Sequence, residues 1–346
     1  MKRVLLLFFL LPIWSSCSKS FNEETLVTPV AVFDDFWKSY DMYYANFKVK
    51  NINWDESYQI YRPFVSNNIS NDSLYHILAA IQLNVLKDGH AYVARNKTEI
   101  SSFQPIRLGL SDVNSVYALY YESLVHIVSN ECEFIQYGAV IQDTSIGYLR
   151  VNTFIKDKLD SDIDTFANEV DEAMIYLSKK KSLIIDVRNN PGGFSHWAEY
   201  LAGYFHSSSL KYLEERTRFN KNRMDLKEIP ESFVVTPSFK LYYQGRVTIL
   251  INSKTASAAE IFVLSMCDLE NVSTMGARTY GIFSPSIYRE LLNGWYVRIP
   301  SSEVRLVDGT SLEGVGITPD IFTRAIDYVD NLDPTLQKAI DYEIGK

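Results

Sequence analysis

The fold class is decided by the stretch Leu183-Ile184-Ile185-Asp186-Val187-Arg188-Asn189-Asn190-Pro191-Gly192-Gly193. Residues 183–187 form a nearly continuous apolar run, which is typical of a strand that helices cover on both faces. The run stops at a dense turn signal, and a stretch with helical character follows over residues 195–205. A buried strand that leads through a glycine-rich turn into a helix indicates a parallel sheet with crossover helices.

The same rhythm of strand and helix continues on both sides of this stretch. Upstream, residues 146–151 form a predicted strand, and a helix with one apolar face follows over residues 159–177. Downstream, residues 247–252 form another buried strand, which leads into a helix over residues 256–269. The pattern predicts an α/β fold with βαβ crossovers. A polar, charge-rich segment over residues 207–239 interrupts it, either as a lip over a cleft or as a solvated insertion.

The chain before residue 146 has a different character. Apolar residues recur at helical spacing from Val32, Ser73 is a candidate N-cap for a second helical run, and the helices end at Asp88-Gly89-His90. The interval that follows is too short for a regulatory peptide-binding domain of the usual size. The predicted division is a small N-terminal helical bundle (31–95), a short β-rich connecting segment (96–145), an α/β domain (146–325) and a C-terminal helix (326–346).

The composition is that of a folded, acidic protein. Of the 346 residues, 47% are hydrophobic and 22% are charged, which excludes the disordered, collagen-like and low-complexity classes. Asp and Glu number 42 against 34 Lys and Arg, and the net charge of −8 comes with no block of Lys or Arg. We expect no nucleic-acid partner, because the broad positive field that binds phosphates is missing.

Residues 1–17 have the pattern of an export signal. Lys2 and Arg3 precede an apolar run over residues 4–13, which is too short for a permanent membrane span, and Ser15-Ser16-Cys17 has the small residues of a cleavage site. A cysteine after two small residues resembles a bacterial lipobox. The pattern predicts lipidation of Cys17, a polar tether over residues 18–30, and a lipid-anchored protein of the bacterial cell envelope, periplasmic or surface-facing. An ordinary secretory signal is the alternative.

A candidate nucleophile lies in the stretch Thr255-Ala256-Ser257-Ala258-Ala259-Glu260, directly after a buried strand. A serine at a helix N-terminus is close to unpaired backbone N–H groups and to the positive end of the helix dipole, which stabilise an alkoxide or an oxyanion. The local sequence also fits a capping box, with Glu260 three residues after Ser257. The Asn190-Pro191-Gly192-Gly193 turn, at the carboxyl end of a strand, is either a ligand-binding loop or an ordinary turn.

His90 is the candidate general base, because it alone among the five histidines lies at the end of an element beside a glycine. The others are predicted to be packed in apolar runs (His76, His126) or to flank a helix (His196, His206). Glu313, in a glycine-rich loop, either orients such a histidine or is merely solvated. Motifs of zinc peptidases, phosphate-binding loops and α/β-hydrolase esterases are absent from the sequence, and we expect no metal and no cofactor.

Five motifs follow one another along the chain. They are Gly147-Tyr148-Leu149-Arg150, Ile185-Asp186-Val187-Arg188-Asn189-Asn190-Pro191-Gly192-Gly193, Thr255-Ala256-Ser257-Ala258-Ala259-Glu260-Ile261, Gly276-Ala277-Arg278-Thr279-Tyr280-Gly281 and Glu313-Gly314-Val315-Gly316-Ile317-Thr318-Pro319-Asp320-Ile321. Their order resembles the tail-specific (C-terminal processing) serine peptidases, and with the helices that end at His90 the resemblance covers roughly residues 32–325. It implies a crotonase/ClpP-like βαβ core, here without a recognisable PDZ domain, and Ser257 as the nucleophile.

One position differs from the pattern of the better-known branch of this family and indicates the other branch. The peptidases with a Ser-Lys dyad carry lysine directly after the motif that ends at Gly281, and here Ile282 takes that place. The sequence is more similar to the other branch, which resembles the core domain of tricorn protease. By that resemblance His90 is the general base and Glu313 orients it. Gly89 stands beside His90 where tricorn protease has a serine.

The resemblance also implies an activity. The N–H groups of Gly193 and Ala258 would form an oxyanion hole, and the protein would be a serine endopeptidase that cleaves protein or peptide substrates through Ser257, His90 and Glu313. An imidazole base predicts activity that falls as pH drops through its pKa, which is about 6.5 for an unperturbed histidine. The alternative is a non-hydrolytic ligand-binding or peptide-binding protein of the cell envelope on the same fold.

Overall fold

The computed structural model describes residues 27–96, 100–102, 124–129, 134–155, 163–218, 226–227, 229–323 and 333–346. Cys17 and the predicted signal segment lie outside these ranges. The helices, in chain order, are α1 (Pro29–Tyr43), α2 (Trp54–Tyr61), α3 (Asn71–Ile81), α4 (Ile163–Leu177), α5 (Ser195–Ala202), α6 (Ala258–Met266) and α7 (Pro334–Ile344). Within the described ranges, none of them combines the length and the apolarity that crossing a membrane requires.

The strands form three sheets. In chain order they are β1 (Tyr92–Ala94), β2 (Ile100–Ser102), β3 (Val125–Ile127), β4 (Ile135–Val140), β5 (Ile146–Val151), β6 (Ser182–Asp186), β7 (Leu210–Thr217), β8 (Glu231–Val235), β9 (Arg246–Ile251), β10 (Val272–Gly276), β11 (Ser286–Glu290), β12 (Tyr296–Pro300), β13 (Ser302–Leu306) and β14 (Ile321–Phe322). The sheets have the orders β14-β10-β9-β6-β5-β4-β3, β11-β12-β1-β2 and β13-β7-β8.

The seven-stranded sheet is parallel from β14 to β5, and β4 and β3 extend it in antiparallel pairs. Strand β6 lies in the middle and is buried along its whole length. Because side chains alternate along a strand, Leu183 and Ile185 join the core formed with α4, α5 and α6, whereas Ile184 joins the core formed with α7. Helices therefore cover both faces, and the α/β prediction is confirmed.

The polar segment over residues 207–239 contributes β7 and β8 to the three-stranded sheet. Tyr212, Leu213 and Val235 from this segment are buried in the same core as α5 and α6. Charged residues such as Lys211 and Glu214 flank the buried Tyr212 and Leu213 and are more exposed, which is why the sequence looks polar. The described part of the segment is therefore packed against the main core and is not merely a solvated insertion.

The N-terminal helices pack through aromatic side chains. Their shared core contains Phe33, Phe36, Tyr40, Tyr44, Phe47 and Trp54, all of them buried. The same core takes in Trp295, Val297 and Ile299, so the helices pack onto the sheet that contains β12. This arrangement brings His90, which precedes β1, next to residues from the far end of the chain.

Local details of the N-terminal part differ from the sequence predictions. The N-cap of α3 is Ser70, whose Oγ accepts from the Ser73 N–H at 3.1 Å, so Ser73 lies inside the helix. The helix continues into a π turn and ends at Lys87, whose φ of 47° makes the left-handed turn expected at Gly89. His76 and His126 are exposed and not packed. Apolar neighbours in sequence did not place them in the core, because each projects from the outer face of its element.

Candidate active site

Ser257 stands between β9 and α6 in a backbone conformation that residues with a β-carbon rarely adopt. Its φ is 55° and its ψ is −122°. Such a conformation costs about 1–3 kcal/mol and persists only where the surrounding structure holds it. Thr255 provides part of this support, because its Oγ donates to the Val187 carbonyl at 2.9 Å and accepts from the Asn252 N–H at 3.0 Å. These bonds tie the turn to the carboxyl end of β6.

Glu260 holds the same turn from inside α6. Its buried carboxylate accepts from the N–H groups of Ser257 (3.1 Å), Gly281 (2.7 Å) and Ile282 (2.9 Å), and from the Thr279 hydroxyl. Burial raises the pKa of Glu260 to about 7, although these donors lower it. The capping box that the local sequence suggests is thus present. The Glu260 carboxylate binds the Ser257 N–H and not the Ser257 hydroxyl, so this bond leaves the hydroxyl available for chemistry.

The glycine turn after β6 lies against Ser257. The Ala256 N–H donates to the Asn190 carbonyl at 3.0 Å, and the Gly192 N–H donates to Asn190 Oδ1 at 2.8 Å. Gly192 has a φ of 94°, and a β-carbon there would lie 2.7 Å from the Ser257 β-carbon and 2.8 Å from the Ala258 nitrogen. Only glycine fits this close approach.

Two backbone donors face the space beside Ser257. Gly193 and Ala258 line the same cavity as Ser257, and in the described part of the chain no hydrogen bond uses the N–H of either residue. The Ala258 N–H is the first of α6, so no preceding helical carbonyl is available to it. A pair of unpaired N–H groups at a helix N-terminus is suited to bind a developing oxyanion.

His90 faces the same cavity from the end of the N-terminal helices. It is buried, and its Nδ1 lies 2.8 Å from the Ser284 carbonyl oxygen. A carbonyl only accepts, so Nδ1 carries the proton and Nε2 keeps a free lone pair. Burial lowers the pKa of His90 to about 4, with the positive charges of Arg298 and Lys50 acting in the same direction and Asp88 opposing them. The imidazole is therefore neutral at neutral pH and able to accept a proton.

Glu313 lies behind His90 and contacts the backbone that orients it. Its Oε2 accepts from the Phe283 N–H (2.9 Å), the Ser284 N–H (3.0 Å) and the Ser284 hydroxyl (3.0 Å). The carbonyl of the same Ser284 binds the His90 ring. Burial raises the pKa of Glu313 to about 8, and the negative charge of Asp88 adds to this effect. Glu313 is thus placed to support His90 through Ser284.

Asp88 fixes the backbone of the catalytic candidate from the other side. Its Oδ1 accepts from the His90 N–H at 2.9 Å, and its Oδ2 accepts from the Tyr44 hydroxyl at 2.8 Å. Lys50 forms an ion pair with it at 3.3 Å, and both side chains are almost fully buried. No motif in the sequence indicates a role for Asp88 or Ser284. Asp88 could have been noticed because it lies two residues before His90 in the sequence. Ser284 is close to His90 only in the folded structure.

Two cavities meet at these residues. The first has a volume of about 330 Å³ and is lined by His90, Gly193, Ser257, Ala258 and Arg298, among others. The second has a volume of about 510 Å³ and shares His90, Gly193, Ser257 and Arg298 with the first. The structure therefore brings four predicted site residues, Ser257, His90, Gly193 and Ala258, around one cleft. Glu313 does not line the cleft, and Ser284 stands between it and His90.

Other candidate groups near the cleft have distinct places. His196 lines the first cavity and Lys254 lines the second, whereas His206 is buried and its Nε2 binds the Ser265 carbonyl at 2.8 Å. A third cavity, of about 350 Å³, lies beyond His196 and contains neither Ser257 nor His90 in its lining. Lys254 and His196 are thus the two alternative bases against which His90 has to be tested.

The two departures from the family pattern also have structural explanations. Ile282 is buried, and its N–H is bound to Glu260, so this position supports the turn without providing a base. At Gly89 a β-carbon would lie 2.4 Å from Cε1 of Tyr280, whose ring packs directly over this residue. The space that a serine side chain would need beside His90 is therefore occupied by Tyr280.

Two protein-family models match this chain. A model described as the tricorn protease C1 domain matches residues 30–82. A model described as peptidase family S41 matches residues 145–323, which is more than half of the chain. The chain therefore belongs to peptidase family S41.

Individual relatives agree with this assignment. The carboxy-terminal processing protease CtpA of Bacillus subtilis is 26% identical over 190 residues, which are 54% of this chain and 37% of that protein. The chain thus spans well under two thirds of the curated relatives' length. The crystal structure of a candidate peptidase from Parabacteroides merdae superposes with a TM-score of 0.75 at 24% identity, covering 91% of this chain and 96% of the other.

Tricorn protease itself shares the fold. Its crystal structure superposes with a TM-score of 0.55 at 17% identity, covering 92% of this chain and 36% of tricorn protease. The α/β core with a preceding helical region is therefore an arrangement found among solved peptidases.

Proposed function

We propose that the protein is a serine endopeptidase of the carboxy-terminal processing type, with Ser257 as nucleophile, His90 as general base and Glu313 as supporting acid. One observation carries the proposal. Ser257 is held in a strained conformation at a helix N-terminus, and the same cleft contains a neutral imidazole and two unpaired N–H groups. Strain of this kind is concentrated at functional sites.

The mechanism follows from the positions of these groups. Ser257 Oγ forms a bond to the carbonyl carbon of the peptide while its proton moves to His90 Nε2, and the carbonyl π electrons move to the oxygen. The N–H groups of Gly193 and Ala258 bind the resulting oxyanion. The C–N bond then breaks as His90 returns the proton to the departing amine. Water, deprotonated by His90, hydrolyses the acyl-enzyme and restores the Ser257 hydroxyl.

Glu313 has an indirect role in this mechanism. His90 gains a positive charge when it accepts the proton, and the Ser284 carbonyl that binds its Nδ1–H stabilises that charge. Glu313 holds Ser284 in place through its N–H and hydroxyl groups. We therefore expect Glu313 to position the imidazole through Ser284. A Glu313→Ala variant, which has no acceptor for the Ser284 N–H and hydroxyl groups, should lose activity, whereas Glu313→Gln should keep part of it.

Labelling with a fluorophosphonate separates a peptidase from the non-hydrolytic alternative. The wild-type protein should react at one residue, Ser257, and mass spectrometry of the labelled peptide identifies it. Ser257→Ala should abolish both labelling and peptide hydrolysis with little change in stability, because a cap hydroxyl contributes at most about 1–2 kcal/mol. Labelling at another residue, or hydrolysis that survives in Ser257→Ala, would exclude this assignment.

We also propose an anchored location and a division of the chain. The signal pattern and Cys17 support export to the bacterial cell envelope with a lipid on Cys17. Mass spectrometry of the mature protein should find diacylated Cys17 at the N-terminus, and an unmodified N-terminus elsewhere would exclude the anchor. The helical domain (31–95) and the peptidase domain (146–325) are proposed as units that together form the cleft.

A further inference from the structure

Both cavities beside Ser257 carry positive charge. Arg298 lines the two of them and Lys254 lines the larger, and no Asp or Glu of the described chain lines either. The chain as a whole has a net charge of −8, so the sign of the cleft is opposite to that of the protein. A cleft lined by one sign of charge concentrates ligands of the other sign.

Arg298 projects from the middle of a strand and not from a loop. It lies in β12, directly opposite Tyr92 of β1 on one side and Tyr288 of β11 on the other. Opposite residues of antiparallel strands project to the same face, so a tyrosine flanks the arginine on each side. The Arg298 Cζ lies 5.9 Å from the centre of the Tyr288 ring. Burial raises the pKa of Tyr92 to about 12, so this neighbour does not supply a negative charge to the arginine at neutral pH.

The Arg298 guanidinium has no anionic partner within the described ranges, and its buried Nε makes no hydrogen bond there. The two carboxyl groups near His90 do not supply one. Asp88 is paired with Lys50 at 3.3 Å, and Glu313, with a pKa raised to about 8, is mostly protonated at neutral pH. Arg298 itself is partly buried, and its Nε is a buried donor without a partner, which costs free energy that a ligand carboxylate would recover.

We propose that Arg298 binds a carboxylate of the substrate close to the scissile bond, so that the cleft prefers acidic peptides. The inference rests on the proposed peptidase function and names the substrate class of that site. Two sources supply the same chemistry: the side chain of Asp or Glu, and the free C-terminal carboxylate of a peptide. Arg298 is then a residue that determines specificity, while Ser257 and His90 carry out the bond-breaking steps.

Binding of a carboxylate would also change the charge that His90 experiences. After burial, the positive charge of Arg298 is the largest cause that lowers the pKa of His90, and Lys50 acts in the same direction. Asp88 and the Ser284 carbonyl act in the opposite direction. A carboxylate on Arg298 offsets the arginine charge and makes the imidazole more basic. An acidic substrate would therefore strengthen the base that its own cleavage requires.

Two esters of equal length test the inference without a known peptide substrate. The p-nitrophenyl monoester of glutaric acid has a carboxylate where p-nitrophenyl valerate has a methyl group. The wild-type protein should hydrolyse the anionic ester with the higher kcat/KM. Arg298→Met should reduce the ratio of the two kcat/KM values by about tenfold or more, because a charge-assisted pair contributes at least that factor. Arg298→Lys should keep part of the ratio.

A matched control variant removes an arginine charge from a site outside the cleft. Arg216 lies on β7, outside the lining of both cavities, and Arg216→Met should leave the ratio of the two esters unchanged.

Matched peptides then distinguish the sources of the carboxylate. Amidation of the C-terminus, or replacement of one Glu by Gln, should lower kcat/KM for the wild type and have a smaller effect on Arg298→Met.

A binding measurement keeps the inference testable without catalysis. Glutarate should raise the melting temperature of the wild type more than that of Arg298→Met, since a ligand that binds only the folded state stabilises it. If the wild type is labelled by the fluorophosphonate but Arg298→Met keeps both the ester ratio and the glutarate effect, the inference is wrong and the proposed function stands. If Ser257 is not labelled, the proposed function itself fails.

Discussion

At the residue scale, His90 shows how burial sets the chemistry of a side chain. An exposed histidine is half protonated at about pH 6.5, and such a base is partly inactive in a mildly acidic medium. His90 is buried, with its pKa lowered to about 4, and its Nδ1 proton is directed at the Ser284 carbonyl. Its Nε2 therefore stays available as a base over the whole neutral range.

The pH dependence of activity should reflect this shift. The pKa of His90 is lowered in the folded protein, so protonation of its ring should not reduce kcat/KM for the neutral ester above about pH 5. This kcat/KM should then fall as pH drops through about 4, because the protonated ring cannot accept the Ser257 proton. Rates measured from pH 3 to 9, with the fold checked by circular dichroism, test this. A midpoint near 6.5 would mean that the ring is solvated in the working enzyme.

The identity of the base is tested by comparing two variants in the same cleft. His90→Ala should lower kcat/KM by several orders of magnitude, as removal of a triad base does in other serine hydrolases. Lys254→Ala, at the edge of the second cavity, should cause a much smaller loss. Both are measured with the neutral ester, so that the charge of the substrate does not enter. A nearly active His90→Ala together with an inactive, folded Lys254→Ala would assign the base to the lysine.

Part of the site is predictable from the sequence, and the reason differs from residue to residue. Ser257, Gly193 and Ala258 lie in local motifs, and His90 follows a helix end beside a glycine. Arg298 and Ser284 could not be found in this way. They reach His90 only because β12 pairs with β1 and because the segment after Gly281 folds back over the ring. The pKa of His90 depends on burial, which no local pattern gives.

At the element scale, the glycine turn after β6 determines how the cleft is built. Gly192 and Gly193 have φ values of 94° and 142°, and the backbone of this turn lies against both Ser257 and Phe154. The Phe154 N–H donates to the Gly192 carbonyl at 2.9 Å, and the Phe194 N–H donates to the Phe154 carbonyl at 2.9 Å. The turn is thus fixed on both sides of Gly193 by bonds that do not use the Gly193 N–H.

Replacing Gly192 by alanine should disturb this turn. The added β-carbon would lie 2.6 Å from the Ala256 carbonyl oxygen and 2.7 Å from the Ser257 β-carbon, in addition to the strain of a positive φ. We expect a loss of about 2–4 kcal/mol in stability and at least about a hundredfold in kcat/KM, since the oxyanion donors move.

Gly309 provides the matched control for this variant. Its φ of 88° is similar, but a β-carbon there has nothing within 4 Å. Gly309→Ala should therefore cost only the backbone strain, about 1 kcal/mol, with kcat/KM retained. Urea denaturation and ester hydrolysis measure both variants. Equal losses of activity in the two would show that the crowding at Gly192 is not important.

Elements were predicted well where one periodicity dominated. Strands β6 and β9 and helix α6 lie where their apolar runs and turn signals placed them. The end of the N-terminal helices was wrong, because Lys87 takes the positive φ that glycine usually provides. Strands β7 and β8 have no regular alternation of polar and apolar residues, and a register shift interrupts their pairing, so no periodicity predicts them. Strand β7 also pairs with β13, which is distant in sequence.

At the scale of the whole molecule, the N-terminal helices and the sheet that contains β12 share one hydrophobic core. His90 and Arg298 are each adjacent in sequence to a buried residue of this core, Ala91 and Val297 respectively. The main α/β core lies under Ser257. The candidate site therefore lies where residues supported by two different cores meet.

Substitution of a buried and of an exposed phenylalanine in the N-terminal part tests how much that core contributes to the free energy of unfolding. Phe36 is fully buried, and Phe36→Ala should lower the free energy of unfolding by about 3–5 kcal/mol through lost burial and a cavity. Phe64 is 68% exposed, and Phe64→Ala should change it by less than about 0.5 kcal/mol. Urea denaturation followed by Trp fluorescence measures both. A small effect of Phe36→Ala would mean that the aromatic core contributes little to the stability of the fold.

The ring of Tyr280 over Gly89 has a consequence for how this sequence can evolve. A side chain at position 89 would meet the Tyr280 ring, and the ring would have to leave its place in the lining of the second cavity. Substitutions at the two positions are therefore epistatic: their effects should not add, because they share one space. A serine beside the histidine therefore requires the Tyr280 ring to move, and a smaller residue at position 280 should make that substitution less costly. The effect of a substitution at position 89 thus depends on which residue occupies position 280, because the two side chains would fill the same space.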